Sequence, residues 1–144
     1  MALIIGLARG IVVIMDAGHI TDTILHAAEG TVAGLGRVAF INAMYWIEVG
    51  MSFLVPSTSG LAVLSMPILA PTGDFAGVPR DLVVTAYQSA SGIVNLITPT
   101  SAVVMGGLAI GRVPYQRWLR FIWPLLLAIT VIVMAALSAA VWIG

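Results

Sequence analysis

Cysteine is absent from the 144 residues, and lysine is absent as well. The first absence excludes disulfides and thiolate metal sites. The second leaves Arg as the only fixed cation. Six Arg balance six acids, so the chain offers no basic surface for nucleic acid and no polybasic anchor for anionic lipid. Charge of either sign is scarce. Only 8% of the residues are charged and 60% are hydrophobic, whereas roughly 25% are charged in an ordinary soluble domain. This composition reads as an integral membrane protein, and without β-barrel alternation the fold class is all-α. Catalytic signatures are missing too. Ser59 and Ser91 each have Gly on only one side, so no nucleophile elbow forms, and neither a His-Glu-x-x-His site nor a phosphate loop occurs. His19 and His26 sit together near the start and make a poor metal pair, because Gly18 and Thr21 argue against one shared helix. No enzyme, cofactor or resident metal is expected. A signal peptide is a poor reading of Met1-Ala2-Leu3-Ile4, which has no charged n-region.

The long apolar runs divide the chain into five segments within one transmembrane unit, 1–144. Residues 1–19 read as a partial membrane helix, apolar to Met15 except for Arg9 and closed by Asp16, Gly18 and His19. Residues 20–36 form an amphipathic arm. Ile20, Ile24, Leu25, Ala28, Val32 and Leu35 recur at helical spacing, with Asp22, His26 and Glu29 opposite, as in a helix lying along the interface. Residues 38–73 read as a re-entrant hairpin with its tip at 56–60. Its second arm, Leu61 to Gly73, covers roughly 20 Å and so returns to the side it came from. Residues 81–111 read as a broken helix with an unwound middle at 95–101. Residues 118–143 close the chain as an ordinary transmembrane helix, with Trp118, Trp123 and Trp142 at the ends as interfacial anchors. Arg112, Arg117 and Arg120 precede that helix, and the positive-inside rule puts them in the cytoplasm and the C-terminus outside.

The two interruptions carry the functional information. Pro56-Ser57-Thr58-Ser59-Gly60 and Asn95-Leu96-Ile97-Thr98-Pro99-Thr100-Ser101 both break apolar runs at membrane depth. Irregular backbone survives there only where protein buries it or water lines it, and such breaks are where transporters bind solutes. A helix restarting near Gly60, capped by Ser59 or Thr58, and another capped by Thr100 or Ser101, would aim partial positive charge at a carboxylate. Carbonyls released near Val55 and Asn95 would suit a sodium ion or a water chain. Glu48 and Asp16 are the acids most deeply placed in apolar sequence, which nominates them for proton or cation coupling; pairing with Arg9 or Arg37 is the structural alternative. Tyr87, Gln88, Ser89 and Ser91 line the helix before the second break and can either reach solute or pack.

The runs SFLVPSTSGLAVLSMPILAP and VTAYQSASGIVNLITPTSAVVMGGLAIGRVPY resemble the C-terminal half of the YfcC-like carriers, relatives of the anaerobic four-carbon dicarboxylate carriers in the ion transporter superfamily. The resemblance extends from about Gly6 to the end of the chain. It implies one of two inverted repeats, each with an interfacial arm helix, a re-entrant hairpin bearing a Ser-Asn-Thr type tip, and a broken transmembrane helix followed by a further one. Ser57-Thr58-Ser59 stands where that tip lies, with Thr58 replacing the Asn, and Thr98-Pro99-Thr100-Ser101 stands where the Pro-bearing loop lies.

Taken together these readings predict a secondary active transporter, in fragment form, moving a small carboxylate-bearing solute, amino acid or dicarboxylate, across the bacterial inner membrane. Ser57, Thr58, Ser59, Gly60, Asn95, Thr98, Pro99, Thr100 and Ser101 would bind solute or ion, and Na+ or H+ would be the coupling ion. The resemblance further implies symport or antiport, a missing N-terminal repeat half, a homodimer and an elevator-like movement. The competing reading is a small structural or regulatory membrane subunit without transport activity, which would not require two hydroxyl-rich breaks.

Overall fold

The computed structural model describes residues 34–55 and 57–143, together with Val13, Ile14, Ala17, Gly18, His19, Thr23, His26, Ala27 and Gly30. The expected partial helix at 1–19 and the arm at 20–36 lie mostly outside the described residues, and Asp16, Arg9 and Pro56 lie wholly outside them. The continuous part consists of five helices: α1 Arg37–Leu54, α2 Thr58–Phe75, α3 Arg80–Ile97, α4 Ala102–Ile110 and α5 Tyr115–Ile143. The described residues contain no strand. Two stretches, Arg80–Ile110 and Tyr115–Ile143, are long and apolar enough to cross a membrane.

Helix α1 is the hub. Phe40, Ile41, Met44, Tyr45, Glu48, Met51 and Ser52 recur three and four apart, so its inward face is a continuous stripe that packs mainly on α3 and also on α5 and α2. Leu61 and Leu69 of α2, Val83, Ala86 and Ala90 of α3, and Leu137 and Val141 of α5 complete that core. Polar ties fix the register. Asn42 Nδ2 donates to Ser138 Oγ at 2.9 Å, joining α1 to α5, and Arg37 Nε donates to the Gly77 carbonyl at 2.7 Å, joining α1 to the α2–α3 turn. Gly73 lets three helices meet: a Cβ there would lie 2.8 Å from Val83 Cγ2 and 3.6 Å from Phe40 Cε1.

The two outer turns are built alike. At the end of α2, Gly77 sits at φ +71° and Val78 N–H reaches back to the Gly73 carbonyl at 2.9 Å, with Pro79 following. At the end of α4, Arg112 sits at φ +51° and Val113 N–H reaches the Leu108 carbonyl at 2.9 Å, with Pro114 following. Each is a left-handed cap closed by a six-to-one hydrogen bond, and the proline bars the old helix from continuing. The second turn places a non-glycine in the left-handed region, where Cβ crowding costs about 1–2 kcal/mol.

Two boundaries differ from the expectation. The second hairpin arm runs Thr58–Phe75 rather than Leu61–Gly73, so its rise is roughly 27 Å rather than roughly 20 Å. It starts early because Ser57 caps it, and it continues through Pro67 and Pro71; Thr72 Oγ1 donates to the Ile68 carbonyl at 2.8 Å within that stretch. Its length therefore no longer argues that the arm must turn back. The second break is shorter than 95–101. Asn95, Leu96 and Ile97 are helical, because the ring of Pro99 restricts only the residue before it: Thr98 is extended at ψ 130°, and α4 resumes at Ala102.

Candidate functional site

Thr58 opens α2, and its side chain meets α3. Ser91 Oγ and Asn95 Nδ2 each donate to Thr58 Oγ1 at 3.3 Å, Asn95 Nδ2 also lies 3.5 Å from Ser91 Oγ, and the Tyr87 hydroxyl donates to the Thr58 carbonyl. Tyr87, Ser91 and Asn95 are spaced four apart, so they form one stripe along α3 aimed at the hairpin tip. Tyr87 and Ser91 were read from the sequence as equally good packing residues; their four-residue spacing with Asn95 is the signal that marks them as partners of the tip.

The other expected residues divide by task. Ser57 is exposed and its Oγ accepts from Gly60 N–H at 3.3 Å, capping α2; this role was expected of Ser59 or Thr58. Ser101 Oγ accepts from Val104 N–H at 3.5 Å and caps α4. Ser59 and Pro99 are exposed, and Gly60 and Thr100 are half-buried. Thr98 is buried, and its hydroxyl lies 2.8 Å from that of Thr100. Among the described residues no hydrogen bond joins 98–101 to the tip. Asn95, one turn before the break, makes that link instead.

The carbonyls at the breaks are already engaged. Trp118 Nε1 donates to the Leu96 carbonyl at 3.0 Å, and the Tyr115 hydroxyl donates to the Ile97 carbonyl. Val55 carbonyl accepts from Ser57 N–H at 2.8 Å. Three of the backbone acceptors at the breaks, those of Val55, Leu96 and Ile97, thus have donors within the chain. Trp118, expected as an interfacial anchor, also clamps the break, and Trp123 and Trp142 are exposed. Glu48 lies elsewhere, in the wall of the hairpin, fully buried. Arg37, its sequence-stated alternative partner, is turned to Gly77 instead.

A family model for the C4-dicarboxylate anaerobic carriers matches residues 1–142 of this sequence. The chain belongs to the C4-dicarboxylate anaerobic carrier family. An uncharacterized protein of Haemophilus influenzae is 40% identical over 126 residues, which is 88% of this chain and 25% of that protein. Escherichia coli YfcC, provisionally named a basic amino acid antiporter, is 37% identical over 124 residues, or 83% of this chain and 24% of YfcC. The chain thus spans about a quarter of the length of the curated relatives it matches. No solved structure matches it. Family membership and two apolar helices of spanning length among the described residues point to a membrane protein. In this carrier family segment, α4 has no buried residue and α5 exposes Phe121, Leu125, Leu127, Val131 and Ile132. Those apolar surfaces require lipid or further protein against them.

Proposed function

We infer that the chain supplies part of a secondary transporter for a small solute bearing a carboxylate. The observation that carries this reading is the cluster of Thr58, Ser91 and Asn95, which brings the first turn of one helix to the last turns of another beside a proline break. The free N–H groups in the first turns of α2 and α4 give partial positive charge to a solute carboxylate, while the hydroxyls of Ser59, Thr98 and Thr100 and the amide of Asn95 orient it. Ser57, Gly60, Pro99 and Ser101 act through the backbone, by shaping and capping the two breaks. The dicarboxylates in the family's name and the basic amino acids in the name of YfcC share the carboxylate that these donors select.

The finer architecture follows the same reading. The segment is the C-terminal inverted repeat half of a bacterial inner-membrane carrier, with α1 and α2 as its re-entrant hairpin and α3 and α4 as its broken helix. Arg112, Arg117 and Arg120 face the cytoplasm and the C-terminus faces the periplasm. The partner N-terminal repeat completes the site, and the intact carrier works as a homodimer by an elevator-like movement, as a symporter or antiporter coupled to Na+ or H+. The test is exchange of labelled succinate and of labelled arginine by the intact carrier in proteoliposomes. Thr58→Val and Asn95→Ala are expected to reduce exchange at least tenfold while membrane insertion is unchanged. Unaltered exchange in both variants refutes the site, and absence of exchange for every carboxylate solute refutes the transport reading.

A further inference from the structure

Among the described residues, Glu48 carries a buried carboxyl without a hydrogen-bond partner. It sits in α1 with no solvent exposure. Its surroundings are polar nonetheless. Tyr45 and Ser52, three residues before and four after on the same face of α1, are buried with unpaired hydroxyls, and so is Ser65 of α2. Glu48 belongs to the buried stripe of α1 that packs mainly on α3, and Tyr87 of α3 is buried in the same core.

Among the described residues no cation pairs with that carboxyl. On α1 the one Arg, Arg37, is bound to the Gly77 carbonyl. The ionisable groups of α2 and the start of α3, Asp74 and Arg80, form a pair with each other, and Asp81 is exposed. The part of α5 that packs on α1 presents Leu137, Ser138 and Val141, with its cations at the opposite end. Tyr45 and Tyr87 are thus the titratable groups that face Glu48. Leaving an ionised carboxylate so placed would carry an unscreened charge into an apolar core, and such groups take up a proton or a cation instead. A proton needs no room beyond the carboxyl itself, which fits a site packed to zero exposure.

We propose that Glu48 is a proton-carrying site inside the hairpin, and that Tyr87 passes its protonation state to the hairpin tip at Thr58. The link is physical. Tyr87 is buried in the core that α1 shares with α3, and its hydroxyl holds the Thr58 carbonyl, in the same turn whose side chain binds Ser91 and Asn95. Proton gain or loss at Glu48 changes the field at that hydroxyl and so the order of the first turn of α2. The transport reading is needed only to give this coupling a purpose; the site itself stands on burial and contact.

The experiment uses the intact carrier, purified in detergent, and reads two signals across a pH series. Infrared difference spectra report the carbonyl stretch of a protonated buried carboxyl, and hydrogen exchange reports the tip amides at 57–61. The expected result is a titrating band that is lost in Glu48→Gln, together with tip exchange that follows the same titration in the wild type and loses that dependence in Glu48→Gln. Tyr87→Phe should keep the band and lose the tip dependence. Because Gln is neutral and of the same size, the first variant is expected to fold. A band that survives Glu48→Gln, or one abolished by sodium at constant pH, overturns the proton site. Tip exchange that still follows pH in Tyr87→Phe overturns the coupling. None of these readouts depends on transport, so a carrier that moves no carboxylate leaves the outcome interpretable.

Discussion

Thr58 and Asn95 are joined by a hydrogen bond at 3.3 Å, and a double-mutant cycle between them tests the central contact directly. Thr58→Val keeps the shape of the side chain and removes the oxygen that accepts from both Ser91 and Asn95. Side-chain hydrogen bonds between membrane helices average about 0.6 kcal/mol and reach about 1.7 kcal/mol. At 3.3 Å both bonds are longer than the usual range, which favours the lower value. Two lost bonds would give about 1.2 kcal/mol, less what Asn95 recovers from Ser91 at 3.5 Å, so the single variant should lose about 1 kcal/mol. The coupling energy between Thr58→Val and Asn95→Ala should be about 0.6 kcal/mol. Thr58→Val with Thr100→Ala is the control, because no hydrogen bond joins that pair, and it should be additive within about 0.3–0.5 kcal/mol. Denaturant unfolding of the intact carrier in mild detergent supplies the free energies. Equal coupling in the two cycles would refute the arrangement, because the tip would then have no preferred partner on α3.

Two further perturbations probe the break and the outer turn. Trp118→Phe leaves the Leu96 carbonyl without its donor, and Tyr115→Phe does the same to Ile97; each should cost about 1 kcal/mol and accelerate amide exchange at residues 98–101, measured by mass spectrometry. Asp74 receives two hydrogen bonds from Arg80 Nε at 2.9–3.1 Å and one from Nη2 at 2.5 Å, which hold its carboxyl below the usual carboxylate range. Because the folded value is the depressed one, the contribution is full above the unfolded pKa of about 3.9 and is lost as pH falls through the folded value. Exchange protection of the 76–79 turn should therefore fall in acid in the wild type and lose that dependence in Asp74→Asn.

Some of this was legible in the residues and some was not, for definite reasons. Proline located both interruptions, because a missing N–H is a local property. The extent of the interruptions was not local. How far helix persists towards Ile97 depends on which neighbour takes up the freed carbonyls, and the donors are distant in sequence: Trp118 is 22 residues from Leu96, and Tyr115 is 18 from Ile97. The same holds for the tip. Its hydroxyls were visible as a run, but Ser57 and Thr58 separate into a cap and a contact only once α3 is present, 33 residues away at Ser91. Glu48 stood out by its apolar context, whereas its complete burial, with Arg37 turned to Gly77, is a property of the packed helices alone.

The hydrogen bonds at the two breaks imply a division of labour between the helices. The tip is fastened to α3, through Thr58, before the second break begins, and the end of α3 is fastened to α5 through Trp118 and Tyr115. Helices α1, α2, α3 and α5 are therefore one framework, closed further by the Asn42–Ser138 contact. Helix α4 is different: it begins after the break, buries no residue of its own and ends in a turn strained at Arg112. A solute held between the tip and the second break would contact the framework on one side and the first turn of α4 on the other. Any change in how α4 sits would then alter the site without disturbing the Thr58 cluster. That asymmetry makes residues 98–101, rather than the hairpin tip, the place where binding and movement would be joined.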